Sequence, residues 1–324
     1  MRASIRKAIV ALVFALGVIG ISGSYSAFAD DVTRVSMGTA GTTGVYYFYG
    51  GAVANVVSKY VPELQITSEA TAGSVENLKL IMDNQIAIAT VTADVLNEGV
   101  NDWKESKRFK EPIEVYGLFN MYTQPIHIVA LADSPVNSVE DLKGKRVVVG
   151  APGSGSEVKT KALLSILGLE YFKDFQPEFL SFAEGAEALQ DKTAEVMFVS
   201  SAIPAPAIMS LAMTNPLKLI PLNNSEVAKI EKQYPFLRKD TIPADTYKGI
   251  GATQTVCVQS LMVCSKNFPD DLAYKLVKTV FENKPELEQI HSAFKRTLLE
   301  NAPEMIVPTH PGALRYYKEK GIIK

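Results

Sequence analysis

Cysteine and histidine are scarce in this chain: Cys257, Cys264, His127, His291 and His310 are all that its 324 residues contain. No pair of them falls at metal-ligand spacing, which removes the zinc readings. Both cysteines lie in "TVCVQSLMVCSK". An extended strand between them would hold the alpha carbons roughly 23 Å apart, far beyond disulfide reach. They read as buried, unpaired thiols, and a bond would need a tight turn at Gln259-Ser260. No histidine neighbours a GxSxG elbow, an HExxH helix or another nucleophile signature, so catalysis has little support. His127, in "PIHIVALAD", reads as a core or interface side chain. Neither sign of charge dominates, with 33 Lys and Arg against 35 Asp and Glu. Such a surface gives no reason to expect nucleic acid or anionic lipid as a partner. Beyond Ala29 no run is apolar enough to span a membrane, and no repeat of fixed period is visible.

The N-terminus is different. Arg2, Arg6 and Lys7 precede an apolar stretch from Ala8 to Ile21, and Ala27-Phe28-Ala29 supplies a small-x-small cleavage site. The pattern is that of a signal peptide over residues 1–29, with the mature protein starting at Asp30. An uncleaved anchor is the alternative, but the apolar run is shorter than the roughly 18–20 residues a span needs. No lipobox cysteine follows. Cleavage would remove three positive charges and leave about 295 of the 324 residues, enough for two domains.

Short apolar runs rich in β-branched residues alternate with helical patterns through most of that length. Strands are expected at "RVSMGTA", "LQITSEA", "IAIATVT", "EVYGLFNM", "HIVALAD", "RVVVGA", "EFLSFA", "VMFVSS" and "LKLIPL". "SVENLKLIMDN" and "SEVKTKALLSILGL" carry apolar residues at helical spacing. Alternation of this kind predicts mainly parallel α/β layers. Two such series are visible, followed by a strand and the helical stretches "DDLAYKLVKTVFEN" and "PELEQIHSAFKRTLLEN". The arrangement expected is two α/β lobes joined by crossing strands. Residues 30–124 and 252–324 would form one lobe and 125–251 the other, with a ligand cleft between them.

Three strand-to-helix junctions share one composition: "GTAGTTGVYY", "TAGSVEN" and "GAPGSGSEVK". Each sets Gly and Ser/Thr where a helix starts, so free N–H groups, hydroxyls and the helix dipole can face an anion. Singly, such residues are also ordinary helix caps. None closes on Gly-Lys-Ser/Thr as a Walker loop must, and none has the GxGxxG order, so a phosphate or dinucleotide fits poorly. A small carboxylate held mainly by neutral donors fits better. Candidate contacts are Thr42, Thr43, Gly44, Tyr46 and Tyr47 at the first junction and Gly73 and Ser74 at the second. Thr92 ends a further strand. Ser154, Gly155 and Ser156 stand at the third junction, and Ser200 and Ser201 end "VMFVSS". Among Tyr46, Tyr47, Phe48 and Tyr49, one or two would wall the cleft, or all would divide between core and surface. Asp94 reads as a cap for the helix after Thr92, with an amino group as its other possible partner. No metal or cofactor is expected.

These residues resemble the TAXI family of extracytoplasmic solute receptors, which serve TRAP (tripartite ATP-independent periplasmic) transporters. The likeness rests on "GTAGTTGVYYFYGGAVANVV", "TAGSVENLKLI", "IAIATVTADV", "VEDLKGKRVVVGAPGSGSEVKTKALL" and "TVCVQSLMVCSKNFPDDLAYKLVKTVFEN", and spans nearly all of the mature chain. Gly-x-Tyr-Tyr and Thr-x-Gly-Ser-x-x-Asn are its most specific parts. The resemblance implies a type II-like periplasmic-binding-protein clamshell, without enzymatic activity, that delivers its ligand to TRAP membrane subunits. It also implies an acidic or amide amino acid, or a dicarboxylate such as 2-oxoglutarate, as ligand. Thr43, Gly44, Tyr47, Gly73 and Ser74 would line the site. Thr92-Ala93 stand where many relatives carry Gln-Ser. A monomer in the periplasm is expected. The same clamshell could instead serve as a periplasmic sensor for a membrane histidine kinase.

Overall fold

The computed structural model describes residues 32–324, so the signal peptide and its cleavage site lie outside the described residues. In the first half, β1 (Thr33–Gly38), α1 (Val45–Tyr60), β2 (Leu64–Glu69), α2 (Ser74–Met82), β3 (Ile88–Thr92) and α3 (Ala93–Val100) follow in order. A short α4 (Trp103–Ser106) leads to β4 (Val115–Leu131). The second half runs β5 (Arg146–Val148), α5 (Gly155–Ile166), β6 (Gln176–Glu178), α6 (Phe182–Gln190), β7 (Val196–Ser200) and α7 (Pro206–Thr214). It ends with β8 (Leu217–Leu219), α8 (Asn224–Gln233) and β9 (Arg238–Ile242). The tail contributes β10 (Thr253–Ser265), α9 (Asp270–Glu282), α10 (Lys284–Ile290) and α11 (Pro311–Glu319).

Strand order is β2-β1-β3-β10-β4-β7-β5-β6, with β8 on β4 and β9 on β10. β1 lies parallel to both β2 and β3, and β5 parallel to both β6 and β7, as helical crossovers require. The long strands β4 and β10 run antiparallel to each other through both halves. Two strand runs separated at Pro125 in the sequence are one strand, β4. Proline cannot donate to a ladder, yet it is tolerated here because pairing changes partner at this point. Gln124 and Pro125 face β10, and Ile126 begins the pairing with β7.

Each lobe buries its own apolar side chains. In the first, Tyr49 stacks on Phe294 and donates to or accepts from Thr297 at 2.9 Å, inside a cluster with Val53, Phe119, Leu276 and Tyr316. The tail therefore packs against α1 and β4. In the second, Ile126, Val147, Leu163 and Phe198 pack with Val256 and Val258 of β10. Cys257 and Cys264 are both buried free thiols on β10, and burial raises the pKa of each, Cys257 to about 12.

Two local expectations are corrected, and one strand was not foreseen. "EFLSFA" is not a strand beyond Glu178, because Ser181 and Glu184 form a capping box that starts α6. "PELEQIHSAFKRTLLEN" is not one helix. His291 is extended, and its Nδ1 accepts from the Ala293 N–H, so α10 ends at Ile290 and tight turns follow. The charged segment "RKDTI" forms β9 along β10, without an apolar pattern to announce it.

Candidate functional site

The carboxyl ends of β1, β2, β3, β5 and β7 converge on a cavity of about 100 Å³ between the lobes. A water needs roughly 10–15 Å³ by this kind of measure, so the space suits one small organic molecule.

At the first junction the Gly44 N–H donates to the Gly41 carbonyl at 2.9 Å. Thr42 and Thr43 are thereby the two middle residues of a turn, exposed and half-buried, and neither lines the cavity. Tyr47 is also outside it, edge-on to Phe48. Gly41, Gly44, Val45 and Tyr46 form the wall instead. No side chain caps α1, which leaves its first N–H groups available. Helical spacing sends Tyr46 and Tyr49 to one side, Tyr49 into the core and Tyr46 to the cleft. The buried Tyr46 hydroxyl donates to Ser260 Oγ at 3.2 Å, and burial pushes its pKa up.

Gly73 (φ +116°) and Ser74 start α2 on the cavity wall, the glycine in a conformation side chains disfavour. Ser74 Oγ accepts from the Thr92 N–H at 3.2 Å, which fixes two predicted wall residues against each other. From the second lobe come Ser154, Gly155 and Ser156 at the start of α5, with Ser200 and Ser201 after β7. Ser154 is also a true N-cap, accepting from the Glu157 N–H at 3.1 Å. Ser156 Oγ accepts from the Ser200 N–H at 3.4 Å, and Ser200 Oγ donates to Gln124 Oε1 at 3.2 Å. Ten of the thirteen expected residues thus surround one cavity, while Thr42, Thr43 and Tyr47 stand away from it.

Behind Ser200 and Ser201 lies a buried chain of hydrogen bonds. His127 Nδ1 meets the Val199 carbonyl at 3.0 Å, and Tyr247 donates to His127 Nε2 at 2.9 Å while accepting from the Ala205 N–H. The carbonyl can only accept, so Nδ1 carries a proton, and a neutral imidazole then accepts at Nε2. Burial depresses the His127 pKa to about 4.

The lobes touch across the cavity. Val75 and Glu76 N–H groups of α2 donate to the Gly153 carbonyl, both at 3.2 Å. A Cβ on Gly155 would stand 2.8 Å from Ser74 Oγ and 3.1 Å from Thr92 Oγ1, so any larger residue would force the facing side chains to shift. Lys159 completes the contact. Its buried ammonium donates to Thr92 Oγ1 at 3.1 Å and lies 3.6 Å from Asp94 Oδ2, which also accepts from Tyr234 at 3.1 Å. Burial lowers the Lys159 pKa, and the Asp94 carboxylate opposes that shift.

One expectation changes here. Asp94 makes no cap hydrogen bond to α3; its carboxylate turns to Lys159 and Tyr234 of the other lobe. Neutral donors make up most of the wall, as expected, and Lys159, one turn into α5, lines the cavity with them. A signal for it was present, four residues after Gly155. Helical side chains lean toward the N-terminus, so Lys159 reaches back over a residue with no side chain. Gln124, Ser181 and Phe182 are further wall residues that the sequence did not single out.

Residues 37–321 match the model of the NMT1-like family. The chain belongs to the NMT1-like family. This family member is similar in structure to the periplasmic binding protein BugD, at 15% identity and a TM-score of 0.56. The match covers 89% of this chain and 94% of BugD. It is also similar to a binding protein component of an ABC phosphonate transporter from Pseudomonas aeruginosa. There the identity is 13% and the TM-score 0.52, over 82% of this chain and 80% of that one. At such identities the likeness establishes the fold, the two-lobe α/β architecture of periplasmic binding proteins. Among the described residues no helix is long and apolar enough to cross a membrane.

Proposed function

We propose that this NMT1-like protein is an exported solute receptor that captures one small carboxylate between its lobes. It releases that ligand to the membrane subunits of a TRAP transporter, without turnover. The observation that carries the reading is the convergence of strand ends from both lobes on one cavity walled by hydroxyls, helix starts and the Lys159 ammonium. A carboxylate there would meet N–H groups at the starts of α1 and α5, each hydrogen bond to a charged group contributing about 1.5–3 kcal/mol. The TRAP assignment rests on the motif likeness to TAXI receptors, and the periplasmic location on the leader at residues 1–29. The lobes divide at Gln124-Pro125 on β4. On β10 the division falls nearer Val258 than position 252, because Val256 and Val258 pack with the second lobe.

A thermal-shift screen of refolded protein against acidic and amide amino acids and C4–C5 mono- and dicarboxylates tests the reading. A ligand at 100 times its dissociation constant should stabilise the protein by about 2.7 kcal/mol. No response to any member of the panel would count against a carboxylate receptor. Uptake that depends on co-expressed TRAP subunits tests the transporter assignment separately.

A further inference from the structure

Within the reading of a carboxylate receptor, on which this inference rests, we propose that the site selects a ligand bearing a single negative charge. The partner class is a monocarboxylate with an uncharged polar tail. Among the residues around the cavity, Lys159 is the one ionic side chain. Its charge is not free: Asp94 lies 3.6 Å away, with both side chains almost fully buried. Together they bring no net charge to the site. One Lys159 proton goes to Thr92 Oγ1, and the ammonium has three, so a donor remains for one anionic group.

A second carboxylate would find no cation. The rest of the wall offers Gln124, Ser156 and Ser200, which can hydrogen-bond a neutral amide or hydroxyl but cannot offset a charge. Glu76 stands behind the wall, its carboxylate bound to the Ala72 N–H, and adds repulsion of the same sign. Burying an uncompensated charge is far more costly than burying a hydrogen-bonded neutral group.

Matched pairs that differ by one charge provide the test. Refolded protein is titrated calorimetrically with succinate and succinamate, and with 2-oxoglutarate and its ω-amide. In each pair that binds, the monoamide should bind about tenfold or more tightly than the diacid, the effect of one charge-assisted contact. Asp94→Asn is nearly isosteric and removes the compensating charge, so it should narrow or reverse that preference. Lys159→Met should weaken monoamide binding by about tenfold or more. A diacid that binds as tightly as its monoamide, or more tightly, overturns the selection and leaves the carboxylate receptor standing. If neither monoamide binds, the selection is overturned; if no acid of the wider thermal-shift panel binds either, the receptor reading falls with it.

Discussion

Lys159 and Asp94 meet across the closed cleft, ammonium 3.6 Å from carboxylate, although α5 carries one and α3 the other. The pair can form only when the lobes are together. Closing therefore exchanges hydrated ions for a buried pair. Such a pair gains little net stability, but it strongly disfavours any state in which one member is buried alone.

Removing one partner should be costly. Asp94→Ala leaves Lys159 buried without its counter-charge and should destabilise the closed protein by about 3–5 kcal/mol in urea denaturation. The double variant Asp94→Leu/Lys159→Met should recover a substantial part, because no charge is then left unpaired. A double variant that loses the sum of both single effects would mean that the two residues act independently.

The junction residues divide into those on the cavity and those on the turn. Gly155→Ala should keep the fold, since it sits at a helix start, yet hinder closure. Its Cβ would stand 2.8 Å from Ser74 Oγ and 2.9 Å from Lys159 Nζ. Calorimetry should show a loss of about tenfold or more in affinity for whichever panel acid binds best, or about 1.4 kcal/mol. Thr43→Ala, outside the cavity, should leave affinity unchanged. Equal effects at the two positions would contradict the division.

Acid should weaken the protein through His127. Burial holds its pKa near 4, below the ordinary value of 6.5. As pH falls below 6.5 the unfolded chain takes up a proton that the folded chain refuses until about 4. His127 therefore contributes stability above pH 6.5 that is lost between 6.5 and 4, at most roughly 3 kcal/mol. Melting temperature against pH, compared between wild type and His127→Gln, measures this. An unchanged slope in the variant would place the acid sensitivity elsewhere.

Much of the architecture was readable because its causes are local. Strand runs alternate with amphipathic helices, and Gly, Ser and Thr gather where chains leave parallel strands, so the cleft edge was visible at Gly73, Ser74, Ser154 and Ser200. The Thr42-Thr43 pair shows the limit: composition marked a loop but not which residues of a turn face inward. Lys159 and Asp94 were missed as site partners for another reason. They lie 65 positions apart in the chain, each on a helix, and only closure of two lobes brings them within reach. A first-turn aspartate looks the same in sequence whether it caps its own helix or crosses to another. β9 was missed because its pairing edge, rather than its own side chains, makes it a strand.

The most direct measurement is native mass spectrometry of the mature protein, incubated with the carboxylate panel and compared with Gly155→Ala. Wild type should retain one equivalent of a single small acid, released on denaturation, and the variant should retain markedly less under the same conditions. Wild type that holds no acid, or holds it no better than the variant, would contradict capture in the cleft between Gly155 and Ser74.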